Sequence, residues 1–212
     1  MSRIDPLQYG KIYHIYNRGV NKMTIFRTQR NNEYFLKLYF ERIGPIVDTY
    51  AWCLMGNHFH LMVRIKSLPE IFRELSSTMS PDKLQKFNPS RHFANFFIAY
   101  AKSFNNEEKR KGALLERPFC RKEVDNLNYF KDLVVYIHRN PVKSGIVRHP
   151  RDYEWSSYND FFTVNPTGLS KDFVLSWFDS TITFKSCHRK EQEINGLGDY
   201  LFEGEELSTL KS

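Results

Sequence analysis

Two histidines separated by one residue, His58 and His60, follow the dipeptide Gly56-Asn57 in an otherwise apolar stretch of the chain. Gly-Asn is suited to a two-residue β-hairpin turn, so His58 is predicted to begin the second strand of a hairpin. Side chains alternate between the faces of a strand, which places both imidazoles on one face, roughly 7 Å apart along the strand. Two ring nitrogens at that separation can converge on one metal ion.

The other face of this predicted strand is apolar and belongs to a hydrophobic core. Its side chains are Phe59, Leu61, Val63 and Ile65. With a two-residue turn, Cys53 lies opposite His60 and Leu54 lies opposite Phe59. An arbitrary His-x-His is more often a pair of surface histidines on a half-exposed strand. The clean alternation here, together with a second polar group near Tyr136, favours a functional site.

The second polar group lies on a helix that the apolar spacing predicts before residue 140. Tyr136 and Asn140 are four residues apart, so they are neighbours on one side of that helix. Pro141 disfavours helical dihedrals at the residue before it, so the helix is predicted to end at Asn140. The helix must pack with this side toward His58 and His60 if the two groups are to act together.

A metal site on the histidines requires a third ligand from the protein. Two imidazoles alone bind a divalent ion weakly and leave open positions, which a Lewis-acid site needs for its substrate. Asn140 is the predicted third ligand, because two nitrogens and an amide oxygen suit Mn²⁺ or Mg²⁺ with phosphate oxygens completing the shell. Cys53 and His138 are alternative third ligands, and Cys53 would favour zinc.

Tyr136 offers a hydroxyl that can attack a phosphodiester and retain the cut strand covalently, provided that a metal ion neutralises the phosphate beside it. A neutral tyrosine hydroxyl is otherwise a poor nucleophile. A lone tyrosine on a helix is most often a packing residue. The hypothesis of a nucleophile therefore depends on where the Tyr136 helix lies relative to the two histidines.

The composition of the chain favours a polyanionic partner. Of its 212 residues, 31 are Lys or Arg and 24 are Asp or Glu, which gives a net charge of +7 and a pI near 9.2. Nucleic acid is the commonest polyanion in a cell, and aromatic residues, at 16%, can supply stacking surfaces. The predicted phosphate contacts are Arg18, Arg139, Lys143 and Arg148.

Cysteine usage and the absence of long apolar runs predict the compartment. The three cysteines lie far apart and form no CxxC pair, which argues for reduced thiols and against a disulfide framework or a zinc ribbon. The N-terminus has no apolar signal-peptide core, and no run approaches 18 apolar residues. We therefore expect a soluble cytoplasmic protein with no membrane partner.

The predicted elements follow in the order strand, helix, hairpin, helix, strand, helix. The first strand covers 11–17, Asn31-Asn32 caps the first helix, and Ser90 caps the next. A bulged or edge strand containing Pro118 covers 113–124. This order predicts an α+β fold: a ferredoxin-like antiparallel sheet with helices packed on one face and the histidine pair on a central strand.

These motifs occur together in an order that resembles the single-tyrosine HUH transposases, most closely their REP-associated tyrosine transposase branch. The matching segments are Tyr16-Asn17-Arg18-Gly19, Met55-Gly56-Asn57-His58-Phe59-His60, the run from Tyr136 to Val147, and Trp155-Ser156-Ser157-Tyr158. The resemblance covers about residues 9–160. Residues 1–160 are therefore expected to form the catalytic domain, and residues 161–212 a C-terminal extension of unknown role.

The resemblance implies a metal-dependent endonuclease and strand transferase that acts on single-stranded or hairpin DNA and gives a 5′-phosphotyrosine and a free 3′-hydroxyl. It implies that His58 and His60 are metal ligands, that Tyr136 is the nucleophile, and that Asn140 is the third ligand. Related insertion-sequence transposases carry glutamine at this last position. Such a site can be built by one chain or by two, so a homodimer is also left open.

Three other functions are compatible with parts of the sequence. A ferredoxin-like module can bind nucleic acid without catalysis, through aromatic side chains on its sheet; the complete set of histidines, tyrosine and asparagine argues against it. A hydrolytic nuclease would keep the metal and use water as the nucleophile. A structural protein would use the aromatic stripe between Phe93 and Phe104 as a partner surface, although such a stripe is more often core packing.

Overall fold

The computed structural model describes residues 5–80, 82 and 85–189. Within these residues, one four-stranded antiparallel sheet has the order β2-β3-β1-β4. The strands are β1 (Ile12–Arg18), β2 (Val47–Met55), β3 (His58–Ile65) and β4 (Cys120–Glu123). The connections from β1 to β2 and from β3 to β4 each pass over one intervening strand, which is the ferredoxin-like arrangement. The predicted α+β fold is confirmed, and the histidine pair begins the central strand β3.

Helices lie on both faces of this sheet. They are α1 (Gln29–Arg42), α2 (Leu68–Leu75), α3 (Pro89–Glu107), α4 (Leu127–Lys143), α5 (Lys171–Ser176) and α6 (Thr181–Arg189). The helices α1 and α3 pack on the face that carries Phe59 and Leu61, as predicted. The helices α4, α5 and α6 contribute to a second core on the face that carries Met62. This second helical layer extends the arrangement predicted from the sequence.

The central hairpin has the register that its sequence predicts. Cys53 pairs with His60, and Leu54 pairs with Phe59, across a two-residue turn. Neighbouring backbone supports this turn: the N–H groups of Ile25 and Phe26 donate to the Gly56 carbonyl, at 2.8 and 3.0 Å. A turn held in this way from outside fixes where β3 begins, and therefore which face receives the histidines.

Two predicted helix caps are wrong. Thr28, rather than Asn31-Asn32, caps α1: its hydroxyl accepts from the Asn31 N–H, and the Asn31 side chain accepts from the Thr28 N–H in a capping box. Asn88, rather than Ser90, caps α3, with its Oδ1 accepting from the Arg91 N–H at 3.0 Å. In both cases several polar residues compete within one turn, and the one with extended backbone immediately before the helix is the cap.

The predicted end of α4 is also wrong, because the helix continues through Pro141 to Lys143. Proline removes one backbone donor, but the Ser144 N–H still donates to the Asn140 carbonyl at 2.9 Å. The chain turns away at Gly145, whose φ of +69° is the left-handed conformation common just after a helix. One further turn of helix therefore follows Asn140.

The strand predicted over 113–124 is shorter than expected. Only β4 is regular, while Leu115 forms an isolated bridge with Gly19. Within the described sheet β4 pairs with β1 alone, so it is an edge strand, as Pro118 in the predicted segment indicated.

The segment after residue 160 contributes to the second core. The Ser170 N–H donates to the Thr49 carbonyl at 2.9 Å, and Phe184 of α6 is fully buried there. The division at residue 160 stays a prediction, and residues 190–212 lie outside the described part of the chain. Across the ranges that the structure describes, no helix is both long enough and apolar enough to cross a membrane.

Candidate active site

Strand alternation brings polar side chains from β1 and β3 onto the sheet face that α4 covers. The register places Tyr16 opposite His60 and Arg18 opposite His58. His14 lies on the same face, with its ring centroid 5.1 Å from that of His60. His14 and His60 are fully buried, and His58 is 8% exposed. The site is therefore a polar cluster in the interior of the protein.

The helix α4 packs with its Tyr136 side toward the histidines, as the hypothesis of a combined site requires. The rings of Tyr136 and His60 meet edge to face, with centroids 5.4 Å apart. Tyr136 is only 4% exposed. The two predicted groups, which lie almost eighty residues apart in the sequence, are in contact within one chain.

Asn140 lies between the two histidines of β3. Its Oδ1 is 3.3 Å from His58 Nε2, and its Nδ2 is 3.3 Å from His60 Nε2. Asn140 is 3% exposed. One amide and two imidazoles thus bring their polar atoms to a common point under α4.

The opposite ring nitrogens of both histidines also have partners. His60 Nδ1 lies 2.9 Å from His14 Nε2, and His58 Nδ1 lies 2.7 Å from Asn57 Oδ1. The sequence prediction did not include His14 or Asn57 among the functional residues. Alternation along β1 could have placed His14 on the right face, but only once the pairing of β1 with β3 was known.

Burial favours the neutral form of the central imidazoles. It lowers the pKa of His60 well below its ordinary value, and His14, His58 and Lys143 add to that effect through their charges. Burial, with a smaller contribution from Lys122, lowers the pKa of His14 to about 3. A metal ion binds the neutral imidazole, so the site holds His60 in the form that a ligand needs.

One pair of the proposed donors, His58 Nε2 and Asn140 Oδ1, fits a divalent ion in chemistry and in spacing. When His58 carries its proton on Nδ1, its Nε2 and Asn140 Oδ1 are two acceptors that face each other at 3.3 Å. That contact is favourable only with a positive charge between the two atoms. Ligands about 2.1 Å from an octahedral ion lie about 3.0 Å apart, close to the observed spacing. No group of three or more His, Cys, Asp or Glu side chains that could hold a metal occurs among the described residues, so a metal bound to the two histidines would need another kind of third donor, such as an amide oxygen.

The two alternative third ligands, His138 and Cys53, are in less suitable surroundings than Asn140. Both ring nitrogens of His138 have other partners, His188 Nε2 at 2.9 Å and Ser157 Oγ at 2.8 Å. Cys53 is fully buried, and burial raises the pKa of its thiol, which disfavours the thiolate that zinc requires. The hydrogen bonds of His138 and the burial of the Cys53 thiol therefore favour Asn140 over both.

The four predicted phosphate contacts are placed differently. Lys143 is exposed on the same side of α4 as Tyr136, with its Nζ 5.7 Å from the tyrosine ring centroid. Arg18 forms a 2.8 Å ion pair with Glu116 beside the site. Arg139 lies within 3.5 Å of the His188 carbonyl, and Arg148 is exposed beyond α4. Of the four, Lys143 and Arg18 border the polar cluster.

A groove with a basic lining runs between α3 and the segment before β4. Its charged residues are Arg91, Lys102, Arg110, Lys111, Glu116, Arg117 and Arg121. The one carboxylate in this set, on Glu116, is paired with Arg18. The guanidinium of Arg121 lies 4.0 Å from the Phe119 ring centroid. The groove reaches Asn17, the neighbour of Arg18, so it begins at the same end of the sheet as His58.

Comparison with known proteins supports the fold. No family model and no curated protein matches the chain. Among solved structures, it is similar to a REP-associated tyrosine transposase bound to a REP hairpin, with a TM-score of 0.52 and 17% sequence identity. The match covers 76% of this chain and 86% of that chain. At this identity the likeness shows a shared fold, and at that level it confirms the resemblance that the motifs predict.

Proposed function

We propose that the protein is a metal-dependent transposase-type enzyme that cleaves and rejoins single-stranded or hairpin DNA through a tyrosine. The observation that carries the proposal is the convergence of His58, His60, Asn140 and Tyr136 in one buried cluster. These residues come from a strand and a helix far apart in the sequence. A protein that only bound nucleic acid would have no use for this combination.

His58 Nε2, His60 Nε2 and Asn140 Oδ1 would hold the metal ion, which we propose to be Mg²⁺ or Mn²⁺. When bound, the ion supplies Lewis-acid polarisation of a phosphodiester. The protein supplies the orientation: the two imidazoles are fixed on a central strand, and the amide is fixed on α4.

Tyr136 would act as the nucleophile. Its Oη forms a bond to phosphorus while the bond from phosphorus to the 3′ oxygen breaks. The phenol loses its proton, and the departing 3′ oxygen takes one up as a free hydroxyl. The reverse attack by a 3′-hydroxyl releases the tyrosine and rejoins the strand. We propose that Lys143, whose Nζ lies 5.7 Å from the centroid of the Tyr136 ring, contacts a phosphate of the bound strand.

The proposal that the partner is DNA has two supports. The groove lined by basic residues reaches the end of the sheet where His58 lies, on the α3 face, and its charge suits a phosphate backbone. The solved structure with a similar fold was determined with a REP hairpin bound. Binding to a hairpin with a single-stranded flank should therefore weaken steeply with salt, with a slope of log K against log salt of about −0.7 for each single-strand phosphate neutralised.

Loss of the Tyr136 hydroxyl should abolish the covalent step and leave the fold intact, because Tyr136→Phe keeps the ring. Wild type and Tyr136→Phe are incubated with end-labelled hairpin DNA and Mn²⁺ and run on a denaturing gel. We expect a shifted adduct with the wild type and none with Tyr136→Phe. Tyr129→Phe is the matched control, since it removes a hydroxyl from the same helix two turns earlier, and it should keep the adduct.

Three results would contradict this function. An adduct that persists in Tyr136→Phe would place the nucleophile elsewhere. Cleavage without an adduct would indicate attack by water, as in a hydrolytic nuclease. Binding without cleavage at any Mn²⁺ concentration would indicate a binding module. Mixing Tyr136→Phe with His60→Ala tests a site shared by a homodimer: because both groups meet within one chain, we expect the mixture to stay inactive.

A further inference from the structure

We propose that His14 and Asn57 are positioning residues that hold His60 and His58 in the tautomer that directs both Nε2 atoms toward the metal position. The inference rests on the proposed function, and it assigns a role to two residues that the sequence motifs leave without one. Its basis is a pair of hydrogen bonds on the far side of each imidazole ring.

A neutral imidazole has one protonated nitrogen and one that accepts, so the partner of one nitrogen decides what the other can do. A metal ligand needs the lone pair on the nitrogen that faces the ion. For His58 and His60 that nitrogen is Nε2, because both Nε2 atoms lie 3.3 Å from the Asn140 amide. Each Nδ1 must therefore carry the proton and donate it to an acceptor.

Asn57 provides that acceptor for His58. Its Nδ2 donates to the Lys22 carbonyl at 3.4 Å, which leaves its Oδ1 turned to His58 Nδ1 at 2.7 Å. The opposite orientation of the amide would set its oxygen against the carbonyl oxygen of Lys22. Asn57, in the hairpin turn, thus keeps the proton of His58 on Nδ1.

His14 provides the acceptor for His60. Asn140 Nδ2 can only donate, so the His60 Nε2 that it faces is the accepting nitrogen, and His60 Nδ1 carries the proton. His14 Nε2, 2.9 Å away, accepts the hydrogen bond from this N–H group. The proton of His14 then lies on its own Nδ1, which is buried and has no hydrogen-bond partner among the residues described. A fully buried ring nitrogen left without a partner is a cost that proteins rarely accept outside functional sites.

Packing alone does not account for a histidine at this position. The His14 ring stacks on Tyr16 at 4.6 Å and lies near Tyr136 at 6.4 Å. Phenylalanine would preserve these ring contacts and remove the orphaned nitrogen. The feature that phenylalanine cannot reproduce is the acceptor for His60 Nδ1.

The test compares His14→Phe, which removes the acceptor, with His14→Gln, whose side-chain oxygen reaches the place of Nε2. Mn²⁺ affinity is measured by calorimetry without DNA, and the His60 tautomer is read from ¹⁵N chemical shifts in the metal-free protein. We expect His14→Phe to lose the Nδ1–H tautomer of His60 and to bind Mn²⁺ about 10- to 100-fold more weakly. His14→Gln should restore both. The control is Tyr16→Phe, which removes only the hydroxyl from the ring stacked on His14. It should leave the His60 tautomer and the Mn²⁺ affinity unchanged.

Asn57 allows the same comparison at the second histidine. Asn57→Asp loses the donation to the exposed Lys22 carbonyl but keeps an oxygen opposite His58 Nδ1, so it should preserve Mn²⁺ binding. Asn57→Ala, which loses both contacts, should weaken Mn²⁺ binding by a similar factor of about 10 to 100. Circular dichroism confirms that each variant is folded before its affinity is compared.

Separate results would overturn the inference and the proposed function. If wild type binds Mn²⁺ and His14→Phe binds it equally well with His60 still protonated on Nδ1, His14 has no positioning role. If His14→Gln loses Mn²⁺ as completely as His60→Ala, His14 is itself a ligand, and the inference is again wrong. If wild type binds no Mn²⁺, the metal site of the proposed function fails, and with it the need for positioning residues.

Discussion

On one side of β3, Phe59 and Leu61 pack into an aromatic core with α1 and α3; on the other side of the same strand, His58 and His60 face α4. Both faces are buried. The ring of Phe59 lies 5.0 Å from that of Phe35, in a contact that has no required donor or acceptor. On the histidine face, each ring nitrogen of the pair has a polar neighbour.

The difference concerns what each face demands of its residues. An apolar core tolerates side chains of similar volume, because dispersion and burial are not directional. A buried polar cluster tolerates few changes, since a donor or acceptor that loses its partner keeps the cost of its desolvation. The apolar face therefore supplies most of the stability. This stability makes the sheet rigid, and the rigid sheet holds the polar atoms of the histidine face in place.

The largest stability effect should come from the apolar face. Phe59→Ala removes a fully buried ring and should destabilise the fold by about 3–5 kcal/mol. His60→Ala, on the opposite face, should cost less, about 1–3 kcal/mol, while abolishing Mn²⁺-dependent cleavage. Urea unfolding of the metal-free variants measures both. Ile98→Ala, at a side chain that is 49% exposed on α3, is the control and should change stability by less than about 0.5 kcal/mol.

The comparison would fail if His60→Ala were as destabilised as Phe59→Ala. The polar cluster would then contribute as much to folding as the aromatic core does. It would also fail if Phe59→Ala remained fully stable, because the apolar face would not be the source of rigidity.

The central hairpin was predictable because its signals are local. Alternation along β3 separates His58 and His60 from Phe59, and the two-residue turn sets Cys53 opposite His60. The contact between Tyr136 and His60 follows from these features only in part. Alternation predicts the face of the sheet, whereas the approach of α4 depends on how the whole chain packs.

The missed features depend on contacts between distant segments or on close local competition. His14 gains its partner through the pairing of β1 with β3, which a single strand pattern does not reveal. Thr28 and Asn88 cap their helices although other polar residues lie within one turn of each. Pro141 lies inside α4 because the loss of one backbone donor is offset by the packing of the helix on the sheet.

Acid should reduce stability first through the buried histidines on the α4 side of the sheet, because the apolar core on the other side does not titrate. His188 donates from Nδ1 to the Phe184 carbonyl and accepts at Nε2 from His138, and burial lowers its pKa to about 4, with a smaller contribution from Arg139. In the unfolded chain a histidine has a pKa near 6.5, so the unfolded state binds more protons between these values. The stability that depends on neutral His188 is complete above about pH 6.5 and is lost as the pH falls toward 4.

The expected loss for His188 is about 2–3 kcal/mol between pH 7 and pH 4.5. Urea unfolding at both pH values measures it, and His188→Gln should reduce the difference because glutamine does not titrate. An unchanged pH dependence in this variant would show that other groups cause the acid sensitivity. The acid sensitivity could then not be assigned to the buried histidines on the α4 side of the sheet.

The smallest effect on stability is expected at the exposed end of the strand face that carries His58 and His60. Arg64 lies there, because it follows the same alternation as the two histidines. Its guanidinium donates to Glu70 at 2.8 Å, but the Glu70 side chain is 36% exposed. The hydrogen bonds from Arg64 and then Ser67 lower the pKa of Glu70 to about 2. A lowered carboxylate pKa stabilises the fold above the unfolded value of about 4.3, and that contribution is lost as the pH falls toward 2.

Solvent screening should keep the contribution of Glu70 below about 1 kcal/mol, even though its pKa shift resembles that of His188 in size. Glu70→Gln keeps an oxygen that can accept from the Ser67 N–H, so it removes the charge without removing the cap. We expect Glu70→Gln to be slightly less stable than wild type at pH 7 and equally stable at pH 2. The loss of stability between pH 6.5 and 4.5, which His188 controls, should be unchanged. If Glu70→Gln lost as much stability at pH 7 as is predicted for His188, burial would not be what determines the size of a polar contact's contribution. Its position on the histidine face would determine it instead.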